Sequence, residues 1–397
     1  MFAICGNITL SVNGGVVVDN GRILLGSRQS QLDDLLARIC EELQLAPSRY
    51  DQAVARYQAV CRWLEGEGSI VASYEPTIYP QGSMRIGTTV RPLEREEHDL
   101  DFVCEFQVPA CQMESPLDLL KHVVQRLREH KGYREQLEVK NRCVRLNYAN
   151  EFHMDILPAC PDPESGLDCI VVPDRQSRTW KPSNPRGYAS WFEDRCAITI
   201  SVEFSQRKMA ADAEPIPAQE ASEEKASLKH VVQLLKRWRD IYYQKHSDEA
   251  PISMVLTTLA AQYFRGHESV SQSMTAILSG IEAAIKVSAP GRIYVFNPAN
   301  PDEDLSERWD DPEHYAAFVE GITHLCSVWE QLIASPALQK SVDILEALVG
   351  EPTKEAFKKQ ARDFQAARNA SVLKSVSAGA ISATVGNPIR QNTFHGN

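Results

Sequence analysis

The sequence predicts a bilobed protein in which an α/β core with a mixed sheet is followed by an all-helical lobe. Residues 70–160 alternate between strand-like and helix-like apolar patterns, which favours an α/β arrangement. From 227 to about 368, apolar residues recur at three- and four-residue spacing, as in amphipathic helices. A charged stretch rich in alanine and proline separates the two regions. At 397 residues, the chain is long enough for two or three domains.

Composition and charge narrow the classes of function. Hydrophobic residues make up 43% and charged residues 24% of the chain, which is ordinary for a globular enzyme. Lysine and arginine number 42 against 53 acidic residues, and the net charge of −11 argues against a broad basic face for nucleic acid. No apolar run approaches the roughly 20 residues of a membrane span. The ten cysteines form no CxxC pair, which predicts free, mostly buried thiols and a cytoplasmic location.

The N-terminal unit, residues 1–66, is predicted to contain a lead-in and two spine helices. Residues 1–27 favour short strands or irregular structure. Apolar side chains at helical spacing over Leu32–Leu43 predict the first helix, and the same pattern from about Ser48 to Gly66 predicts the second.

The α/β core is predicted to span residues 67–206. The run His98–Phe106 alternates between apolar and polar residues, as in a half-buried strand. The other predicted elements are a helix from Ser115-Pro116 to Gly132, strands at Val139–Tyr148 and Phe152–Leu157, a connection over 158–187, and a helix opened by Asn184-Pro185.

The second half of the chain divides into three predicted parts. Residues 207–226 lack an apolar period, which predicts a mobile linker or lid. Residues 227–370 form the C-terminal helical lobe, interrupted by a non-helical island over 293–302. The small, polar residues 371–397 predict a flexible tail.

Three aspartates carry the chemistry that the sequence suggests. Asp99 and Asp101 stand two positions apart on one strand, so their carboxylates project from the same face about 7 Å apart. That spacing allows both to contact a pair of divalent ions roughly 3.5–4 Å apart. Asp155 lies in a second strand with apolar neighbours. The alternatives are a solvent-facing polar side of the first strand and, for Asp155, an acid that caps a turn.

A loop of small residues precedes the paired acids. Gln81, Gly82 and Ser83 follow a short extended run and precede turn-like residues. Such a loop presents backbone N–H groups and a hydroxyl to a phosphate, because glycine lets the backbone approach closely. A plain turn is the alternative for this pair of residues taken alone.

These motifs together resemble the polymerase-β-like nucleotidyltransferases, which combine a Gly-Ser motif, a paired-acid strand and a third acid on a neighbouring strand. The chain is more closely similar to the bacterial cGAS/DncV-like nucleotidyltransferases, or CD-NTases, of anti-phage CBASS systems. Three segments carry this similarity: YPQGSMRIGTTVRP over 79–92, WKPSNPRGYASWF over 180–192, and LKHVVQLLKRW over 228–238 followed by PISMVL at 251–256. The resemblance spans roughly residues 30–350.

The resemblance implies a role for each motif. The three aspartates would bind two Mg²⁺ or Mn²⁺ ions, and Asp155 would complete the site that activates the attacking ribose hydroxyl. Ser83 would contact the donor triphosphate. Lys236 matches the helical-lobe lysine that neutralises phosphates in the superfamily, and Ser253 matches the residue that often joins it.

Several other side chains have two interpretations. The helix face with Lys229, Gln233 and Lys236 is also typical of a solvated surface. By strand alternation His98 points away from Asp99, whereas His153 shares a face with Asp155 and could support a metal ligand. The candidates for stacking a base, which are equally suited to core packing, are Tyr188, Trp191, Trp238 and Met254.

The resemblance also implies substrates and partners. It predicts a synthase that joins NTPs into a cyclic di- or oligonucleotide, releases pyrophosphate and signals to a downstream effector in anti-phage defence. The C-terminal segment, from Asn387 to Asn397, is similar to the tails of CD-NTases encoded beside ubiquitin-transfer-like partners. The acidic balance argues against activation by nucleic acid. The alternatives are a template-independent transferase acting on RNA or protein, and a catalytically silent nucleotide-binding scaffold.

Overall fold

The computed structural model describes residues 16–17, 23–25, 28–93, 98–148, 152–198, 214–335 and 337–369, together with three short segments of the tail. A small hairpin of β1 (Val16–Val17) and β2 (Ile23–Leu25) precedes the two predicted spine helices, α1 (Arg28–Glu42) and α2 (Pro47–Glu65). Each helix joins a different core. Apolar side chains of α1 pack with the helical lobe, whereas those of α2 pack with the catalytic sheet.

The catalytic lobe is built on a mixed sheet, as predicted. Its elements are β3 (Thr77–Gln81), α3 (Gly82–Arg85), β4 (His98–Glu105), α4 (Pro116–Glu129), α5 (Lys131–Gln136), β5 (Leu137–Val139), β6 (Val144–Tyr148), β7 (Phe152–Pro161), β8 (Ile170–Asp174), β9 (Thr179–Ser183) and α6 (Pro185–Ala197).

The strand order is β3-β4-β7-β6-β5, and β8 continues from the far end of β7 to pair with β9. Only β4 and β7 among these neighbours run parallel. The helices α2 and α4 cover one face of the sheet, where Leu100, Phe102 and Cys104 of β4 are buried. The opposite face carries polar side chains over the first part of β4 and β7 and a smaller buried apolar cluster, with Val103 and Ala159, further along both strands.

Three predicted boundaries are wrong. The strand predicted over Val139–Tyr148 is two strands, because the chain turns at residues 140–143. Gly132 does not end a helix but lies within α5. The predicted connection over 158–187 contains β8 and β9, in which Pro173 and Pro182 are tolerated because each lies where its strand has a neighbour on one side only.

The helical lobe has the predicted helices around one interruption. Its elements are α7 (Ser227–Tyr242), α8 (Ser253–Tyr263), α9 (Val270–Ser288), β10 (Phe296–Asn297), β11 (Asn300–Asp304), α10 (Pro312–Ala334), α11 (Leu338–Val349) and α12 (Pro352–Asn369). No described helix has the length and apolar character needed to cross a bilayer.

The described part of the predicted lid is packed against the catalytic lobe. The N–H of Glu214 donates to the carbonyl of Ile78, and the hydroxyl of Tyr57 donates to the carbonyl of Glu214 at 2.8 Å. Ile216 is buried among the sheet residues. Residues 214–226 are thus an anchored connection, and the preceding part of the predicted lid, 207–213, lies outside the described residues.

The described part of the tail forms short strands. Three two-residue strands, β12 (Lys374–Ser375), β13 (Ile381–Ser382) and β14 (Asn387–Pro388), pair antiparallel; the other tail residues lie outside the described ranges. Among the described residues every cysteine is free, and most are buried, as predicted.

Candidate active site

The three aspartates lie on one face of adjacent parallel strands. In the register of β4 and β7, Asp101 stands opposite Asp155 and Asp99 stands opposite His153. The apolar residues decide that the acids share one face, because Leu100 and Met154 both point into the core on the other face. Strand alternation and pairing therefore bring together the three carboxylates that the sequence singled out.

Gly82 brings the backbone directly over Asp101. Strand β3 ends at Gln81, which pairs with Asp101, and the next residue turns with a φ of +65°. A Cβ built on Gly82 would lie 3.2 Å from Cγ of Asp101 and closer still to Oδ2, so no larger residue fits without displacing the carboxylate. The predicted loop is in fact the start of the one-turn helix α3, and the hydroxyl of Thr89 donates to Ser83 Oγ at 3.3 Å.

Asp101 has a strongly shifted pKa. Burial raises its pKa to about 8, and the neighbouring carboxylates of Asp99 and Asp155 add to the effect. Negative charge gathered in a poorly solvated site favours protonation unless a cation neutralises it. The site is therefore prepared for a cation that binds oxygen.

An arginine that was not predicted from the sequence occupies part of this acidic face. Arg145, on β6 opposite Asp155, donates from Nε to Oδ1 at 2.7 Å and from Nη2 to Oδ2 at 2.6 Å of that residue. Its Nη2 also lies 3.3 Å from Oδ1 of Asp99. The alternation of Val144, Arg145 and Leu146 was the available signal, since it turns the arginine to the polar face.

The donor set fits a hard divalent cation. Three carboxylates supply only oxygen ligands, which Mg²⁺ and Mn²⁺ prefer. Within the part of the chain that is described, no three ligating side chains already converge on one point, and Arg145 holds Asp155 in an ion pair. Nδ1 of His153 lies 3.7 Å from Oδ1 of Asp99. The side chain of His98 lies outside the described part of the structure.

Helix α7 brings Lys236 to the site from the other lobe. Its Nζ donates to Oγ1 of Thr88 at 3.1 Å and to the carbonyl of the same residue at 3.3 Å. Burial lowers the pKa of Lys236 to about 8, and the charge of Arg239 adds to the effect. The solvated-face interpretation is wrong, because Lys229, Gln233 and Lys236 are all buried between the lobes.

The start of α8 adds Ser253 to the same side of the site as Lys236. Ser253 Oγ accepts a hydrogen bond from Nη1 of Arg239, whose Nε donates to Asp240 at 2.9 Å. Arg239 lies three residues after Lys236 on α7, so the helical period places both cations on one side. This second cation was not predicted from the sequence, although its spacing from Lys236 was visible.

One cavity of about 540 Å³ unites most of the predicted site. Its size falls within the roughly 300–1,000 Å³ of small-molecule sites. The carboxylate of Asp155, held by Arg145, is not part of the wall. Of the proposed stacking residues, Tyr188 and Met254 reach the wall, whereas Trp238 and Trp191 pack in the helical core. The predicted residues that line the cavity are Gln81, Gly82, Ser83, Asp99, Asp101, Lys236 and Ser253.

Known proteins are similar to this chain in sequence. Residues 30–195 match the Second Messenger Oligonucleotide or Dinucleotide Synthetase domain, SMODS. Over 379 residues the chain is 32% identical to a c-di-GMP synthase of Roseivirga ehrenbergii, covering 94% of this chain and 100% of the relative. It is 29% identical over 304 residues to the cyclic dinucleotide synthase CdnG of Bradyrhizobium diazoefficiens, covering 71% of each.

Solved structures show the same fold. The structure of Bradyrhizobium diazoefficiens CdnG in complex with GTP aligns with a TM-score of 0.68 at 24% identity, covering 85% of this chain and 99% of CdnG. Escherichia coli DncV bound to 3′-deoxy GTP aligns with a TM-score of 0.55 at 18% identity, covering 80% and 94%. The predicted bilobed fold, with a polymerase-β-like core and a helical lobe, is confirmed. The chain belongs to the CD-NTase family, the cGAS/DncV-like nucleotidyltransferases.

Proposed function

We propose that the protein joins two GTP molecules into a cyclic dinucleotide, releasing pyrophosphate at each of the two bond-forming steps. Cyclic oligonucleotide synthesis follows from the family, and the 32% identity to a c-di-GMP synthase supports the choice of guanine. The observation that carries the proposal is the single cavity in which Asp99 and Asp101 of one lobe face Lys236 of the other.

The helical side of the cavity is suited to the donor triphosphate. Lys236 and Arg239 bring two cations to one wall and Ser253 brings a hydroxyl, while Ser83 of α3 brings a second hydroxyl from the other lobe. The pKa of Lys236, lowered to about 8 by burial, would rise again beside a phosphate because an adjacent anion favours the charged ammonium. Lys236 thus neutralises a triphosphate without needing to be desolvated during the reaction.

The acidic side is suited to divalent ions. We propose that Asp99, Asp101 and Asp155 hold two Mg²⁺ or Mn²⁺ ions. Such ions, when bound, neutralise phosphate charge and lower the pKa of an attacking hydroxyl. Arg145 competes for Asp155, so this carboxylate becomes available only when the guanidinium releases it. Until then the positive charge of Arg145 offsets the repulsion between the neighbouring carboxylates.

The chemistry requires little covalent participation by the protein. The hydroxyl of one nucleotide attacks the α-phosphate of the other, the new P–O bond forms, and the bond to pyrophosphate breaks. A second, equivalent attack closes the ring. The chain aligns the two nucleotides and compensates phosphate charge, and these two effects account for most of the catalysis in phosphoryl transfer.

We extend the proposal to the cellular role. The product would act on a downstream effector in anti-phage CBASS defence, in the cytoplasm where NTPs are supplied. A ubiquitin-transfer-like partner would act on the tail, whose residues 389–397 lie outside the described residues. The structure of Escherichia coli CdnC bound to a HORMA protein is an example of a related chain with a protein partner. Deletion of Thr393–Asn397 should abolish activity in cells but not in vitro, and an unchanged cellular activity would contradict the partner proposal.

The central experiment is incubation with four labelled NTPs and Mg²⁺ or Mn²⁺, followed by phosphatase treatment and mass spectrometry. We expect a phosphatase-resistant product of two guanine nucleotides. The double variant Asp99→Asn, Asp101→Asn should make none while retaining a cooperative melt. Linear RNA-primed or protein-linked product would favour another transferase, and absence of metal-dependent turnover would favour a silent scaffold.

A further inference from the structure

The wall of the cavity holds a polar group that the proposed chemistry does not use. Glu303 lines the same cavity as Asp99 and Asp101 but comes from the helical lobe. It lies on β11, in the hairpin that interrupts the helices, and this hairpin packs beside β9 of the catalytic sheet. Ser183, Asn297 and Arg142 line the cavity as well.

The carboxylate of Glu303 is held in one position by both lobes. Its Oε2 accepts from Nδ2 of Asn297 at 2.7 Å, and its Oε1 accepts from Oγ of Ser183 at 3.1 Å. Burial raises the pKa of this carboxyl group, although the hydrogen bonds from Asn297 and Ser183 oppose the shift. A carboxylate has about four acceptor positions. These contacts therefore fix the group and leave acceptor capacity for a ligand.

The hairpin itself is anchored at the start of α6. Asn184 caps this helix by accepting from the N–H of Gly187 at 2.8 Å, and its Nδ2 donates to the carbonyl of Ala299 at 3.0 Å. A Cβ on Gly187 would lie 2.8 Å from Cβ of Ala299, so the close fit requires glycine. The position of Glu303 is thus preorganised, which is what precise recognition of a planar group needs.

The chemistry of a fixed carboxylate selects among nucleobases. Guanine presents two donors side by side, N1–H and the exocyclic amino group, to an acceptor-only carboxylate. Adenine presents an amino donor beside the N1 lone pair, which the carboxylate repels. We infer that Glu303 is a specificity-determining residue that binds the Watson–Crick edge of guanine in one of the two nucleotides. This inference rests on the proposed function, because it requires that the cavity binds nucleotides.

The test exploits the difference between a carboxylate and an amide. Glu303→Gln replaces one acceptor by a donor, a pattern that complements adenine and not guanine, and it preserves size. The matched control is Asp302→Asn, which makes the same charge change on the neighbouring, exposed residue. Each protein is offered an equimolar mixture of four NTPs with Mn²⁺, and the bases in the cyclic product are counted by mass spectrometry. Displacement of a fluorescent GTP analogue by GTP or ATP measures binding separately.

We expect Glu303→Gln to lower the preference for GTP over ATP by at least tenfold in both assays, the scale of a bidentate base contact. Asp302→Asn should match the wild type. Glu303→Asp, which retracts the carboxylate but keeps its charge, should weaken GTP binding while leaving ATP binding unchanged. Melting curves verify that each variant is folded.

Two outcomes would overturn the inference. If Glu303→Gln loses GTP and ATP binding equally, the residue only ties the hairpin to the sheet; if it changes neither, the base lies elsewhere. Failure of the proposed function has a different signature. A wild-type protein that makes no cyclic product from any NTP refutes that function, while the displacement assay still tests Glu303 on the same samples.

Discussion

Replacing Gly82 by alanine adds one methyl group at the most crowded point of the site. The residue has a φ of +65°, and the added Cβ would lie 3.2 Å from Cγ of Asp101 and closer to its Oδ2. Because the methyl group is attached to backbone that pairs with β4 through Gln81, it cannot move aside easily. The carboxylate of Asp101 must therefore rotate or shift.

Two separate costs follow from this one change. A left-handed conformation costs an alanine roughly 1–2 kcal/mol relative to glycine, which lowers the free energy of unfolding by that amount. A shift of about 1 Å in a positioned group costs on the order of 10²-fold in rate. Gly82→Ala should thus lower kcat by about 10²-fold while the protein remains folded.

The assay separates these costs with a matched variant. Gly68 also has a positive φ, of +75°, but a Cβ there would meet nothing within 4 Å. Gly68→Ala should therefore lose similar stability in urea unfolding and keep wild-type kcat in a pyrophosphate-release assay. Titration with Mn²⁺ should show weaker metal binding for Gly82→Ala alone.

Either of two results would refute this prediction. One is a Gly82→Ala protein whose kcat remains within about fivefold of the wild type, well short of the loss expected for a displaced carboxylate. The other is an equal loss of kcat in Gly68→Ala, which would assign the effect to general destabilisation instead of to Asp101.

Three further predictions concern charge in the site. Lys236→Gln should lower kcat/KM for the NTP by about 10²-fold, as for loss of a preorganised donor, whereas Lys229→Gln should not; steady-state kinetics on both variants decide this. The pKa of Asp101 is about 8 in the folded protein and about 4 in the unfolded chain. The protonated carboxyl group therefore makes its whole contribution to the free energy of unfolding below pH 4, and this contribution is lost as the pH rises through 8. With a chelator present to remove metal, the melting temperature of Asp101→Asn should therefore rise relative to that of the wild type between pH 5 and pH 8. A difference that stays constant over this range would contradict the prediction. Arg145→Gln removes the cation that competes for Asp155, so the Mn²⁺ concentration at half-saturation, measured by thermal shift, should fall several-fold. A higher concentration at half-saturation would show that Arg145 helps metal binding.

Local pattern predicted most of the fold because the relevant signals are short-range. Alternation over His98–Phe106 predicts a strand wherever that strand lies, and the caps Ser115 and Asn184 predict where α4 and α6 begin. Pattern failed for β8 and β9. Their prolines are typical of a loop, and only the pairing shows that Pro173 and Pro182, which lack an N–H, lie where the strand has a neighbour on one side only.

The site was likewise predicted in part from local pattern and decided in part by strand pairing. Each acid could be assigned to a face of its own strand, but no local signal gives the register that sets Asp101 beside Asp155. Arg145 and Glu303 were missed for this reason. One reaches the acids across a strand pair, and the other reaches the cavity from a hairpin about 120 residues after Ser183.

By itself, the sequence determined which side chains share a face, which residues begin helices, and which family motifs are present, since all of these depend on neighbours along the chain. Only the tertiary structure decided that the polar face of α7 is buried between lobes instead of solvated, and that Arg145 holds Asp155. It also decided that Glu303 lines the same cavity as Asp99 and Asp101. The physical reason is that burial and ion pairing depend on distances between segments far apart in the chain, and those distances are set only when the lobes pack together.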